Sequence, residues 1–142
     1  MIGRIALNQV QTLMYDTLIA AQSGWAVFCD CYDSVPDGSA FPYIEIGATT
    51  DTVEGSKGAK WSENVQQISV WSDASGSKEC NDIINQVIDA IMAISLPQTL
   101  ADNFKVDTLD RGLVELVKLE GPNEKVYRQG VVRFSMRVED TS

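Results

Sequence analysis

Two apolar runs in the first half of the chain constrain its fold most. Phe41-Pro42-Tyr43-Ile44-Glu45-Ile46-Gly47 and Gln67-Ile68-Ser69-Val70-Trp71-Ser72 both alternate. Period-two alternation marks a strand with one buried face. Ile44, Ile46 and Ala48 form the expected inner set of the first run, opposite Tyr43, Glu45 and Gly47. In the second, Ile68 and Val70 oppose Gln67, Ser69 and Trp71. Pro42 stands at a strand start, where its missing N–H does least harm. The intervening segment, Asp51 to Glu63, is polar, holds Gly55 and Gly58, and carries Trp61 near its end. It exceeds a tight hairpin turn, so the runs are expected to pair across a long loop reaching outside the fold.

Two helical patterns flank this pair. Between Ile5 and Gln22, the residues Leu7, Val10, Met14, Leu18 and Ala21 recur at spacings of three and four. Ser23-Gly24 stops the pattern, and Gly24 suits a C-terminal cap. A stronger pattern spans Lys78 to Ser95, with Cys80, Ile83, Ile84, Val87, Ile88, Ile91 and Met92 on one face. Glu79 and Asp82 complement the dipole at its start, and Leu96-Pro97 ends it. Trp25 to Tyr32 reads as a short strand with Val27, Cys29 and Cys31 on one side.

Phe104 to Glu120 is extended, with an interruption near Asp110-Arg111-Gly112. Gly121 to Glu124 is a turn. Val126 to Glu139 is a final strand with Val132, Phe134, Met136 and Val138 inward and Val131, Arg133, Ser135 and Arg137 outward. Asp140 to Ser142 is expected to fray. The expected fold is α+β: an antiparallel or mixed sheet of four to five strands, with two amphipathic helices on one face and a long loop between the central strands. Its 142 residues suffice for one domain over 1–142.

Charge narrows the function. With 11 basic and 20 acidic residues, the net charge of -9 argues against general nucleic-acid binding, which needs Lys and Arg. The last 40 residues hold seven basic and seven acidic groups, including Arg111, Arg128, Arg133 and Arg137, whereas the first 40 hold one and four. Three cysteines (Cys29, Cys31, Cys80), with no secretory signal pattern, point to a reducing compartment and buried structural thiols. The chain has no histidine, so the usual nucleophile–base pairs cannot form. Gly55-Ser56-Lys57-Gly58 lacks the strand-loop-helix context of a phosphate loop. Asp30, Asp33 and Asp37 miss the spacing of a calcium loop. Glu45 lacks a visible catalytic partner, although it can pair with Arg133 across the sheet or between subunits. No catalytic residue, metal, cofactor or membrane span is expected.

An N-terminal amphipathic helix, VPDGSAFPYIEIG (Val35 to Gly47), a polar Gly-rich loop, QQISVWSDASGSKECNDIINQVIDAI (Gln66 to Ile91) and YRQGVVRFSMRVE (Tyr127 to Glu139) follow in that order. In this arrangement the chain resembles the siphophage tail-completion, or lambda-type tail-terminator, family over nearly its whole length. The Cys29-x-Cys31 pair and the acidic middle lie outside the pattern. The resemblance implies a non-enzymatic virion protein at the head–tail junction, made in the host cytoplasm. Its copies form a ring, commonly of six, that caps the head-proximal end of the tail tube. That ring ends tube polymerisation and offers a surface to the head connector. Implied partners are copies of itself, the tube protein and the connector, with DNA passing through unread. Separately, the chain's acidic surplus is expected to give such a channel a lining that repels phosphates.

Candidate contact residues are Lys57, Lys60 and Trp61 in the loop, and Glu45, Arg133 and Arg137 on outward strand faces. Trp61 also admits a role in a satellite cluster on the sheet, and the arginines a role as ordinary surface charge. Two alternatives stand beside the ring: another neck or head-completion protein, and a small-ligand-binding domain or carboxylate enzyme, which needs a deep apolar pocket. On the ring reading, deleting Val53 to Lys60 leaves a folded monomer unable to cap tails.

Overall fold

The computed structural model describes residues 4–54 and 60–142. Helix α1 (Leu7–Gln22) is followed by strands β1 (Asp30–Tyr32), β2 (Tyr43–Glu54) and β3 (Trp61–Ser72), then helix α2 (Lys78–Met92). Strands β4 (Gln98–Leu100), β5 (Phe104–Glu120) and β6 (Val126–Asp140) complete it, with a 3-10 turn at Pro122–Glu124. The six strands form one sheet, ordered β1-β2-β3-β6-β5-β4, rather than the expected four to five. The sheet curls into a half-barrel. It is mixed because β1 runs parallel to β2, while every other neighbouring pair is antiparallel. The additional strand, β4, is three residues long and too short to show a period.

Both helices pack on the same face, as expected. Val10, Met14 and Leu18 of α1 and Cys80, Ile83, Ile84, Val87 and Ile91 of α2 are buried against Ile44, Ile46, Ile68, Val70, Val132, Phe134, Met136 and Val138. Helix α2 approaches β6 most closely at Gly130. A Cβ there would overlap the δ-methyl of Ile84 and lie 3.0 Å from Cys80 Sγ. Helix α1 ends at Ser23 in ordinary right-handed geometry, so Gly24 does not serve as the left-handed cap expected of it.

Strands β2 and β3 run on through much of the segment expected as loop. Asp51 pairs with Asn64, Thr52 with Glu63, Val53 with Ser62 and Glu54 with Trp61. The expected deletion of Val53 to Lys60 therefore cuts into a strand as well as a connection. A register shift between Ile46 and Thr49 also reverses the alternation of β2, so Ala48 is exposed and not in the core. Gln66 closes this bulge. Its Nε2 donates to the Gly47 oxygen at 3.0 Å and, more weakly, to the Ala48 oxygen at 3.4 Å. Its Oε1 accepts from Thr49 Oγ1 at 2.8 Å, and Thr49 Oγ1 in turn accepts from Gln11 of α1. The interruption expected near Asp110 is likewise a bulge, between Arg111 and Val114, within a continuous β5.

The C-terminus is held, not frayed. Asp140 receives the Arg4 guanidinium on both oxygens, at 3.0 and 3.1 Å, and the Arg4 backbone N–H at 3.0 Å. The Asp140 N–H donates to the Lys60 oxygen, and the Thr141 N–H to the Asn103 oxygen. The Arg4 side chain, then the Ser142 hydroxyl, hold the Asp140 carboxyl well below the usual carboxylate range. A carboxyl depressed on folding stabilises the fold above its ordinary pKa of about 4 and loses that contribution as pH falls through and below it. Asp140→Asn is therefore expected to lower Tm at neutral pH and to shrink the Tm difference between neutral and acid pH. Equal acid sensitivity in both proteins would remove this ion pair from the account.

All three cysteines are free and buried. Burial, with the neighbouring Asp30 charge, pushes Cys29 up to about 12; burial and Cys29 do the same for Cys31; burial raises Cys80 to about 11. A thiol that keeps its proton longer when folded stabilises the fold below the free-thiol pKa of about 8.5 and loses that contribution as pH rises beyond it. Tm is expected to decline on the alkaline side from that point. An aromatic disulfide reagent at mildly alkaline pH should titrate no thiol in the native chain and three after denaturation. Rapid native labelling would show that the thiols are accessible.

Candidate assembly interface

The sheet face turned away from the helices is built by the outward residues of the three central strands. Directly opposite residues of an antiparallel pair share a face, so the register fixes its composition. Trp61 lies opposite Glu139, Glu63 opposite Arg137, Gln67 opposite Arg133 and Trp71 opposite Gln129. The side chains join into cross-strand pairs. Ser135 Oγ donates to Glu63 Oε1 at 2.6 Å, and the Arg133 guanidinium donates weakly to Gln67 Oε1 at 3.3 Å. Trp71 Nε1 donates to Glu45 Oε1 at 3.2 Å.

The Arg137 guanidinium sits over the Trp61 ring, 3.6 Å from its centre. Such cation–π stacking is worth roughly 0.5–1 kcal/mol at an exposed site. Lys60, next in sequence, points its Nζ at the Ser142 carbonyl oxygen, 2.7 Å away. Lys60, Trp61 and Arg137 therefore gather at one end of the sheet. Glu45 and Arg133 lie farther along the same face. Of the two pairings offered for them, the one within the chain is not formed, since Glu45 accepts from Trp71 and Arg133 donates to Gln67. Lys57 lies outside the described residues.

An aromatic row that sequence reasoning did not single out continues this face. Tyr32, Tyr43, Phe41 and Tyr127 follow one another, with ring centres 5.2 to 6.0 Å apart, and Trp71 stacks on Tyr43 at 6.5 Å. These residues come from four segments, and only the register brings them together. Burial, then the charge of Glu45, raises the pKa of the Tyr43 phenol.

Two grooves flank α1. The larger, about 600 Å³, is lined by Asn8, Gln11, Tyr15, Asp16, Asp33 and Ile46 among others; the second, about 470 Å³, includes Gln9, Gln98 and Asp102. Both linings mix polar and apolar surface in similar shares, whereas a small-ligand reading requires a predominantly apolar pocket. Among the described residues, no group of three or more Cys, Asp or Glu side chains is placed to hold a metal ion, and no helix is long and apolar enough to cross a membrane.

The model of the family described as "Tail completion protein gp17" matches residues 12–139. The chain belongs to that family. The match takes in all of α2, α1 from Thr12 onward and the whole aromatic row. No curated protein matches the chain. Among solved structures, a chain from the virion of a native gene transfer agent particle shares the fold, with a TM-score of 0.74 and 22% sequence identity. The alignment covers 96% of this chain and 99% of that one. Membership makes this a tail completion protein, a structural component of a phage-like virion, as the sequence resemblance implied.

Proposed function

We propose that copies of this chain close into a ring, of six subunits, on the head-proximal end of a tail tube. The ring ends tube polymerisation by presenting the tube with an interface like its own, and it offers a different face to the head connector. The family match over residues 12–139 carries this reading. Virion membership of the structurally similar chain supports it, as does an outer sheet surface built of cross-strand side-chain pairs. The chain acts as one domain, residues 1–142, and works by shape rather than catalysis, without a cofactor.

Glu45, Lys57, Lys60, Trp61, Arg133 and Arg137 supply contacts to the tube, the connector or a neighbouring copy. Arg137 and Trp61 act as one stacked unit, so Trp61→Ala and Arg137→Ala should weaken capping to a similar degree. DNA passes through without sequence-specific contacts, past a lining kept from sticking by the acidic surplus. The protein is made in the host cytoplasm and resides at the head–tail junction.

Electron microscopy of particles produced without this protein tests the reading. Over-length tubes detached from heads are expected. Tailless heads beside free tails of normal length would assign the chain to the neck instead.

A further inference from the structure

Both edge strands of the sheet are three residues long, and each leaves most of its neighbour open. β4 covers β5 only at Phe104–Val106, and β1 covers β2 only at Tyr43–Glu45. Among the described residues, no strand pairs with the outer edge of β5 from Asp107 to Glu120 or of β2 from Ile46 to Glu54. An unpaired edge is a template for another strand, and soluble proteins ordinarily blunt it. The β5 edge carries two bulges and charges such as Asp110 and Lys118, yet Leu113, Leu116 and Leu119 along it are 50%, 41% and 37% exposed.

The two edges match each other. Antiparallel steps lead from β2 through β3 and β6 to β5, so β5 runs opposite to β2. Two copies in the same orientation, side by side, would thus bring the β5 edge of one antiparallel to the β2 edge of the next. Their side chains also correspond. Arg111, Val114, Leu116 and Lys118 lie opposite Phe134, Val132, Gly130 and Arg128, so they project on the helix side of the sheet. On that side, beside the open β2 edge, lies the groove lined by Tyr15, Asp16, Asp33 and Ile46. Two cations and two apolar residues would meet two carboxylates, a tyrosine and an isoleucine.

We infer that the outer edge of β5 in one copy pairs with the outer edge of β2 in the next, with Leu116 and Lys118 seated in the groove beside α1. This rests on the ring reading above and names the surfaces that would make the ring. Joining two different edges is a head-to-tail contact, the kind that closes into rings.

Cysteine crosslinking of the full-length chain tests it, since the native thiols are buried and hold their protons. Leu116→Cys and Tyr15→Cys alter partly exposed side chains. Under mild oxidation, a mixture of the two variants should give a covalent dimer, neither alone should, and the double variant should give a ladder ending at the closed ring. Leu116→Lys should abolish the oligomer in light scattering while leaving Tm unchanged. Self-dimerisation of Leu116→Cys alone would overturn the inference, as would a wild-type oligomer that resists Leu116→Lys and yields no mixed crosslink. Those results would leave the ring standing on other surfaces. A wild-type chain that stays monomeric at every concentration and on tube ends would overturn both readings.

Discussion

Phe134→Ala is expected to lower the free energy of unfolding by roughly 3–5 kcal/mol. Phe134 has no exposed surface and stands on β6, between β3 and β5, beneath the helices. Its removal leaves a cavity in the middle of the sheet, where paired strands on both sides limit collapse. Urea unfolding should show a lower midpoint with an unchanged slope. A loss under about 1 kcal/mol would mean that the site collapses freely, and that the core is not close-packed there.

Gln66→Leu should cost nearly as much, roughly 2–4 kcal/mol, although it replaces a polar residue with an apolar one of similar size in a buried site. At the shift in β2 the Gln66 amide donates to the Gln67 and Gly47 oxygens, and more weakly to that of Ala48. Each buried acceptor left unsatisfied costs about 1–3 kcal/mol. Thr49 would also lose its acceptor, and with it part of the tie to Gln11 of α1. A neutral or stabilising Gln66→Leu would show that water reaches the bulge. Gln66 lies directly opposite Phe134, so the double variant should depart from the sum of the single losses.

Gln66 also shows where the sequence stops being legible. β6 could be read residue by residue because each of its inward positions from Val132 to Val138 is apolar. The outer halves of β2 and β3 could not, because their helix-side residues are mostly polar and hydrogen-bond one another: Ser62 donates to Asp51, and Asn64 to Ser62, leaving the buried Asn64 Oδ1 without a partner among the described residues. Hydrophobic periodicity is silent about a strand whose buried face is a hydrogen-bond network. Ala48 was misplaced because a bulge has no apolar signature. The Arg4–Asp140 pair spans 136 positions and has no local signal.

The candidate interface was legible in part. Outward faces were assigned correctly for Arg133 and Arg137, but partners were not, because choosing them requires the register. Register places Trp61 under Arg137 and turns Glu45 towards Trp71 rather than Arg133. The open edges of β2 and β5 exist only because β1 and β4 are short, a property of pairing that no single strand pattern reveals. The family resemblance drew on the order of the segments, which survives wherever individual boundaries fall.

The most direct measurement is the length of tubes assembled from purified tail tube protein with and without this chain, imaged by electron microscopy. The account predicts shorter tubes as the chain is added, each carrying a ring of extra density at one end and none along its sides. Tube lengths that do not change with added chain, or binding distributed along the tube wall, would contradict it.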